Sequence, residues 1–108
     1  MPRRRGPAWL ARALGRRIHA LREAAGLTQE RLAWACDMSK GFLSHVESGD
    51  YLPSVPALHT MARVLGVALL DLVTFPERDE RQALVDRTRH MPRGTVRKLL
   101  REMGESGR

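Results

Sequence analysis

The sequence predicts an all-α chain. Five helices fall over residues 8–75, a short arm precedes them at 1–7, and a helical hairpin is appended at 76–108. Three observations predict this. Apolar residues recur at the three- and four-residue steps that line one face of a helix. Residues that start and stop helices stand at the ends of these periodic runs. No stretch alternates apolar and polar residues for the length of a strand.

Each element follows from its residues. The arm opens with MPRRRG, which has no apolar periodicity and reads as flexible and basic. Pro7 or Ala8 can open the first helix, and Leu10, Leu14, Ile18 and Leu21 form its inner stripe before Gly26 ends it. Thr28 is an N-cap for the second helix, where Leu32, Ala33 and Cys36 give a short inner face. Asp37 breaks that run, since aspartate enters the left-handed region more readily than most residues. Ser39 caps a third helix that ends at Gly49 and holds only Leu43 and Val46 as evident core residues. Ser54 caps a fourth, with Pro56 in its first turn and Leu58, Met61, Ala62 and Leu65 inside. ALLDLV, residues 68–73, reads as a short fifth helix. Beyond Pro76 charges become dense, and the apolar residues form two small groups. One is centred on Leu84; the other is Val96, Leu99, Leu100 and Met103, on a helix that Pro92 can open and Gly104 can end.

Composition narrows the function. The chain of 108 residues is sized for one domain, and its formal charge is +7. That excess favours an anionic partner, nucleic acid first. Arg3, Arg4, Arg5, Arg12, Arg16, Arg17 and Arg22 all precede the first acidic residue, Glu23. A single cysteine, Cys36, excludes an internal disulfide and a cysteine-rich zinc site, and it reads as a small core residue. His19, His45, His59 and His90 are scattered without metal-ligand spacing, so no metal and no cofactor is expected. No stretch approaches the roughly 20 apolar residues of a membrane span. Arg12, Arg16 and Arg17 interrupt any secretory h-region, and a cytoplasmic location is expected. No nucleophile–base pair or phosphate-cradling glycine loop suggests an enzyme.

Residues 27–54, LTQERLAWACDMSKGFLSHVESGDYLPS, carry the function. They contain Leu27-Thr28-Gln29, the Leu32-Ala33 pair, a tight turn, a Ser-capped second helix, Glu47 two residues before Gly49, and Pro53-Ser54. This stretch resembles the helix-turn-helix of phage-repressor and Cro-like regulators, the xenobiotic-response-element type. LHTMARVLGVALLDL matches that family's closing helix pair, so the resemblance covers roughly residues 13–73. It implies a five-helix repressor-like DNA-binding domain, with the helix at 39–48 in the major groove of double-stranded DNA.

The physical logic runs in parallel. Helices joined by a three- or four-residue turn cross steeply, and small Ala33 suits their close approach. If Leu43 and Val46 face the core, Lys40, Gly41, Ser44 and His45 lie on or near the opposite face, where side chains at the start of a helix reach base edges. Lys40 can donate to guanine O6 and N7 or to a phosphate. Gly41 has no side chain to read with and either allows a close backbone approach or is a tolerated helix-start glycine. Ser44 can donate or accept. His45 can do either as a neutral ring, and can meet a phosphate as a cation. Phe42 is expected half-buried beside a sugar or a thymine methyl. Backbone contacts are expected from Thr28 and Gln29, which in the family grip the DNA backbone, from Ser39 and Tyr51, and from Arg17 or the arm.

The family often pairs an arginine near the end of the first helix with a glutamate in the third, and Arg22 and Glu47 hold those positions. The sequence also departs from the pattern. Asp37 stands where glycine is usual. Trp34 occupies a usually polar place, where it can stack on the sugar-phosphate backbone or pack under the C-terminal helices; packing is expected, because one exposed indole is costly in an aromatic-poor chain. Asp50 would repel phosphate, which implies a loop set further out. Leu69, Leu70, Leu72, Val73 and Phe75 cannot all point inward on so short a helix. Leu69, Leu70, Val73 and Phe75 are therefore expected to meet the C-terminal extension or a second subunit. A homodimer would read a pseudo-palindromic operator. The expected function is a sequence-specific transcriptional regulator of the repressor kind. The alternative is an antitoxin or adaptor whose C-terminal helices bind a partner protein while the helix-turn-helix autoregulates its operon.

Overall fold

A computed structural model describes residues 6–106, with side chains over 6–104. Arg3, Arg4 and Arg5 of the expected arm lie outside the described residues. The elements are α1 (Ala8–Ala24), α2 (Gln29–Ala35), α3 (Lys40–Glu47), α4 (Val55–Leu65), α5 (Leu69–Leu72), α6 (Glu80–Thr88) and α7 (Arg93–Ser106). No strand occurs among the described residues. The chain divides after Phe75 into two compact units.

In the first unit, α1 to α5 close around one core. Leu14, Ile18 and Leu21 of α1 are buried, as their spacing predicts, and Leu10 packs at the edge. Leu32, Ala33 and Cys36 join them from α2, Leu43 and Val46 from α3, and Leu58, Met61, Ala62 and Leu65 from α4. The side chains of Thr28, Ser39 and Ser54 accept the backbone N–H three residues on and start α2, α3 and α4. Burial among these apolar side chains pushes the Cys36 thiol pKa up.

Gly15 sets how closely α1 meets α3. A Cβ at this position would lie 2.5 Å from the carbonyl oxygen of Val46 and 2.6 Å from that of Glu47. Both atoms belong to backbone, so no side chain can swing aside.

Five expectations are corrected. Arg17 does not reach outward to phosphate. It is 9% exposed, and its Nε donates to the carbonyl of Asp71 at 2.7 Å. A helix as short as α5 leaves end carbonyls without intrahelical donors, and this guanidinium serves one of them. Phe75 belongs to the core, not to a surface patch. The chain turns in after α5: Thr74 is buried and its Oγ1 donates to the Leu70 carbonyl at 2.6 Å. Leu69 is half-buried against the core, which leaves Leu70 and Val73 as the exposed residues of that patch. Trp34 is not packed away: it is 83% exposed, because the inner face of α2 is already filled by Leu32 and Ala33. Gly104 does not end α7, which continues to Ser106. An interior glycine costs a helix about 1 kcal/mol relative to alanine without forbidding it.

In the second unit, Asp79 caps α6 by accepting the Gln82 N–H at 2.8 Å. No residue from 76 to 104 is buried. Leu84, Leu100 and Met103 are each more exposed than covered.

The Gly15 contact yields a direct expectation. Gly15→Ala should push α1 off α3 and lower stability by about 1–3 kcal/mol, the usual cost of overpacking. Urea unfolding measures it, and an unchanged midpoint would show that the two helices are not held this close.

Candidate nucleic-acid interface

Two helices and the turn between them build the surface. Asp37 takes a positive φ of 55°, as expected of the residue standing in for glycine. The N–H of Met38 then reaches back to the Ala33 carbonyl at 2.9 Å and closes the end of α2. Ser39 starts α3 at once by accepting the Phe42 N–H at 3.0 Å. Leu43 and Val46, both 0% exposed, face α3 inward. Lys40, Gly41, Ser44 and His45 are exposed on the rest of its surface.

Arg22 and Glu47 meet in a two-pronged ion pair. Nε of Arg22 donates to Oε2 of Glu47 at 2.7 Å and Nη2 donates to Oε1 at 3.0 Å. The side chains are 10% and 5% exposed. Nη1 of Arg22 donates to the Leu27 carbonyl at 2.8 Å, which ties in the turn before α2. The Gln29 amide donates to Oε1 of Glu47 at 3.0 Å. Gln29, expected on a phosphate, is thus engaged inside the domain. Burial pushes the Glu47 pKa up, but hydrogen bonds from Arg22, Gln29 and His19 outweigh it and hold the carboxyl below its ordinary value. The bond to Glu47 is likewise the main cause that raises the Arg22 pKa.

His19 is a member of this cluster that the sequence reading missed. Its Nδ1 lies 3.0 Å from Oε1 of Glu47, and its Nε2 lies 2.7 Å from Glu23. A signal was available: residues three apart share a helix face, and His19 stands three before Arg22.

The predicted readers also have partners. Nζ of Lys40 donates to Glu30 at 3.3 Å. Nδ1 of His45 lies 3.1 Å from Oδ2 of Asp50. The Tyr51 ring sits 4.9 Å from the His45 ring and stacks on Phe42 at 6.2 Å with 19° between planes. Phe42 is half-buried as expected and packs against the core. Asp50 does not sit further out. Its N–H donates to the His45 carbonyl at 2.9 Å, which folds the loop back onto the end of α3. Thr28 and Ser39 remain exposed beside their capping bonds.

Among the described residues no cluster of metal-ligating side chains occurs, and no helix is long and apolar enough to cross a membrane.

This arrangement, two helices joined by a tight turn at Asp37 with the second exposing Lys40, Gly41, Ser44 and His45, defines a helix-turn-helix domain. Residues 13–75 match the helix-turn-helix domain family, and the chain belongs to it. YazB of Bacillus subtilis, an uncharacterised HTH-type transcriptional regulator, is 40% identical over 58 residues, which are 54% of this chain and 84% of YazB. The immunity repressor of Bacillus phage phi105 is 35% identical over 60 residues. Those cover 56% of this chain and 42% of that repressor, so the chain spans less than half of it. Among solved structures, the hypothetical transcription factor NHTF from Neisseria superposes with a TM-score of 0.63 at 28% identity, over 78% of this chain and 95% of that one.

Glu47→Ala would leave Arg22 buried without its counter-charge, and it should cost about 3–5 kcal/mol in urea unfolding. The pH dependence has a definite sign. A carboxyl whose folded pKa is depressed stabilises fully above its unfolded value, about 4.3, and loses that contribution as pH falls through the folded value. Wild type should therefore lose its advantage over Glu47→Gln on acidification through that range. An advantage that stays constant there would contradict the pairing.

Proposed function

We propose that the protein is a sequence-specific double-stranded DNA-binding transcriptional regulator that represses by occupying its operator, with α3 in the major groove. One observation carries this reading. α3 is fixed by Leu43, Val46 and Glu47, so Lys40, Gly41, Ser44 and His45 form an exposed face of a kind that fits base edges. Lys40, Ser44 and His45 read bases, and Gly41 lets the helix backbone approach. Thr28, Ser39 and Tyr51 stand at the rim for phosphate contacts.

The protein acts as a homodimer on a pseudo-palindrome whose half-sites are about one helical turn apart. Two observations support this. Leu70 and Val73 are exposed at α5, and Leu99, Leu100 and Met103 expose an apolar stripe on α7. No residue from 76 to 104 is buried, so the second unit gains a core by pairing with another copy.

Selection from random duplexes should return one palindromic site, and log K for it should fall with log salt by about 0.9 per phosphate neutralised. Lys40→Ala should cost about 1–3 kcal/mol on that site and relax preference at one base pair of each half. A nearly salt-independent affinity would rule out this mode of binding.

Sedimentation tests the dimer. Leu100→Asp with Met103→Asp should convert a micromolar dimer to monomer without unfolding α1 to α5. Wild type that sediments as a monomer both with and without DNA would overturn the dimer.

A further inference from the structure

We propose that Asp50 fixes the tautomer of His45, and so decides which bases His45 can read. This rests on the major-groove reading of α3 above. Nδ1 of His45 lies 3.1 Å from Oδ2 of Asp50. An ionised carboxylate only accepts, so Nδ1 must carry the proton and donate it. A neutral imidazole has one N–H, and the other ring nitrogen is then an acceptor. Nε2 of His45 is left as that acceptor, on a side chain 54% exposed on the polar side of α3.

The surroundings make this arrangement specific. Asp50 is delivered by the chain itself: its N–H donates to the His45 carbonyl at 2.9 Å. Tyr51 lies against the imidazole at 4.9 Å, and Tyr51 in turn stacks on Phe42, which packs on the core. The ring is therefore held at its edge by Asp50 and flanked by the tilted Tyr51 ring before DNA arrives.

An acceptor in the major groove needs a donor on the base. Only adenine N6–H and cytosine N4–H supply one; guanine and thymine offer acceptors there. His45 is thus assigned to an adenine or a cytosine, while Lys40, a donor only, suits guanine. Asp50 acts as a positioning residue. Its part is to set the chemistry of the neighbouring ring without touching a base.

The test uses the full chain and has two arms. Through-bond nitrogen-15 spectra, recorded where the imidazole shifts have reached their neutral plateau, should show the His45 proton on Nδ1. Asp50→Ala should move it towards the Nε2–H form that an unheld imidazole favours. Asp50→Asn keeps a carbonyl acceptor and should restore Nδ1–H. In the second arm, selection from random duplexes should show adenine or cytosine at one position that His45→Ala loses. Asp50→Ala should weaken that preference by about three- to tenfold, the worth of one hydrogen bond, and Asp50→Asn should retain it. A wild-type proton on Nε2, a His45-dependent guanine, or an unchanged preference in Asp50→Ala would each overturn the proposal. Should Asp50→Ala fail to fold, the wild-type spectrum and the His45-dependent base still decide. A wild-type pool with no enriched site would overturn DNA reading itself, and the base assignment with it, while the spectra would still report the tautomer.

Discussion

Glu47 stands in the last turn of α3 with 5% of its side chain exposed, and it receives donors from Arg22 on α1 and Gln29 on α2. A buried carboxylate is costly unless charge and hydrogen bonds compensate it. The three helices therefore cannot separate or swivel without stranding that charge. Gly15 removes the steric reason for α1 and α3 to stand apart, and it brings α1 against the backbone of Val46 and Glu47. With Leu43 and Val46 pressed into the core, α3 has one orientation, and its exposed residues inherit it.

The face so presented is ordered before any partner binds. Lys40 is paired with Glu30 and His45 with Asp50, and both pairs are exposed. The Lys40–Glu30 pair is of a kind worth about 0.2–1 kcal/mol, so a better partner can displace it. Glu30 and Asp50 also offset positive charge on the surface that would otherwise attract any phosphate. On the proposed reading, the same carboxylates that tether the readers temper non-specific attraction, and binding then depends on correctly placed base edges.

Much of this architecture was legible because its causes are local. The capping hydroxyls of Thr28, Ser39 and Ser54 each act within three residues. The break at Asp37 reflects the conformational preference of one residue, and the apolar stripes report helical spacing. What escaped depends on long-range geometry. Arg17 looked like surface charge until Asp71, 54 residues on, proved to take its guanidinium. Phe75 looked like one apolar residue too many for α5, and it was the turn at Thr74 that carried it into the core. No pattern marked Gly15 as a contact point, since the atoms it accommodates lie on another helix. Trp34 was misjudged by a general cost argument: an exposed indole is unfavourable, yet the inner positions of α2 were already taken.

The claim at the centre is that Arg22 and Glu47 act as one clamp on α3. A double-mutant cycle with Arg22→Met and Glu47→Gln, measured by urea unfolding, tests it most directly. The account predicts strong coupling, about 1–3 kcal/mol, with the double variant far more stable than the two single losses sum to. Losses that add would mean that the two side chains merely lie side by side, and that α3 takes its orientation from elsewhere.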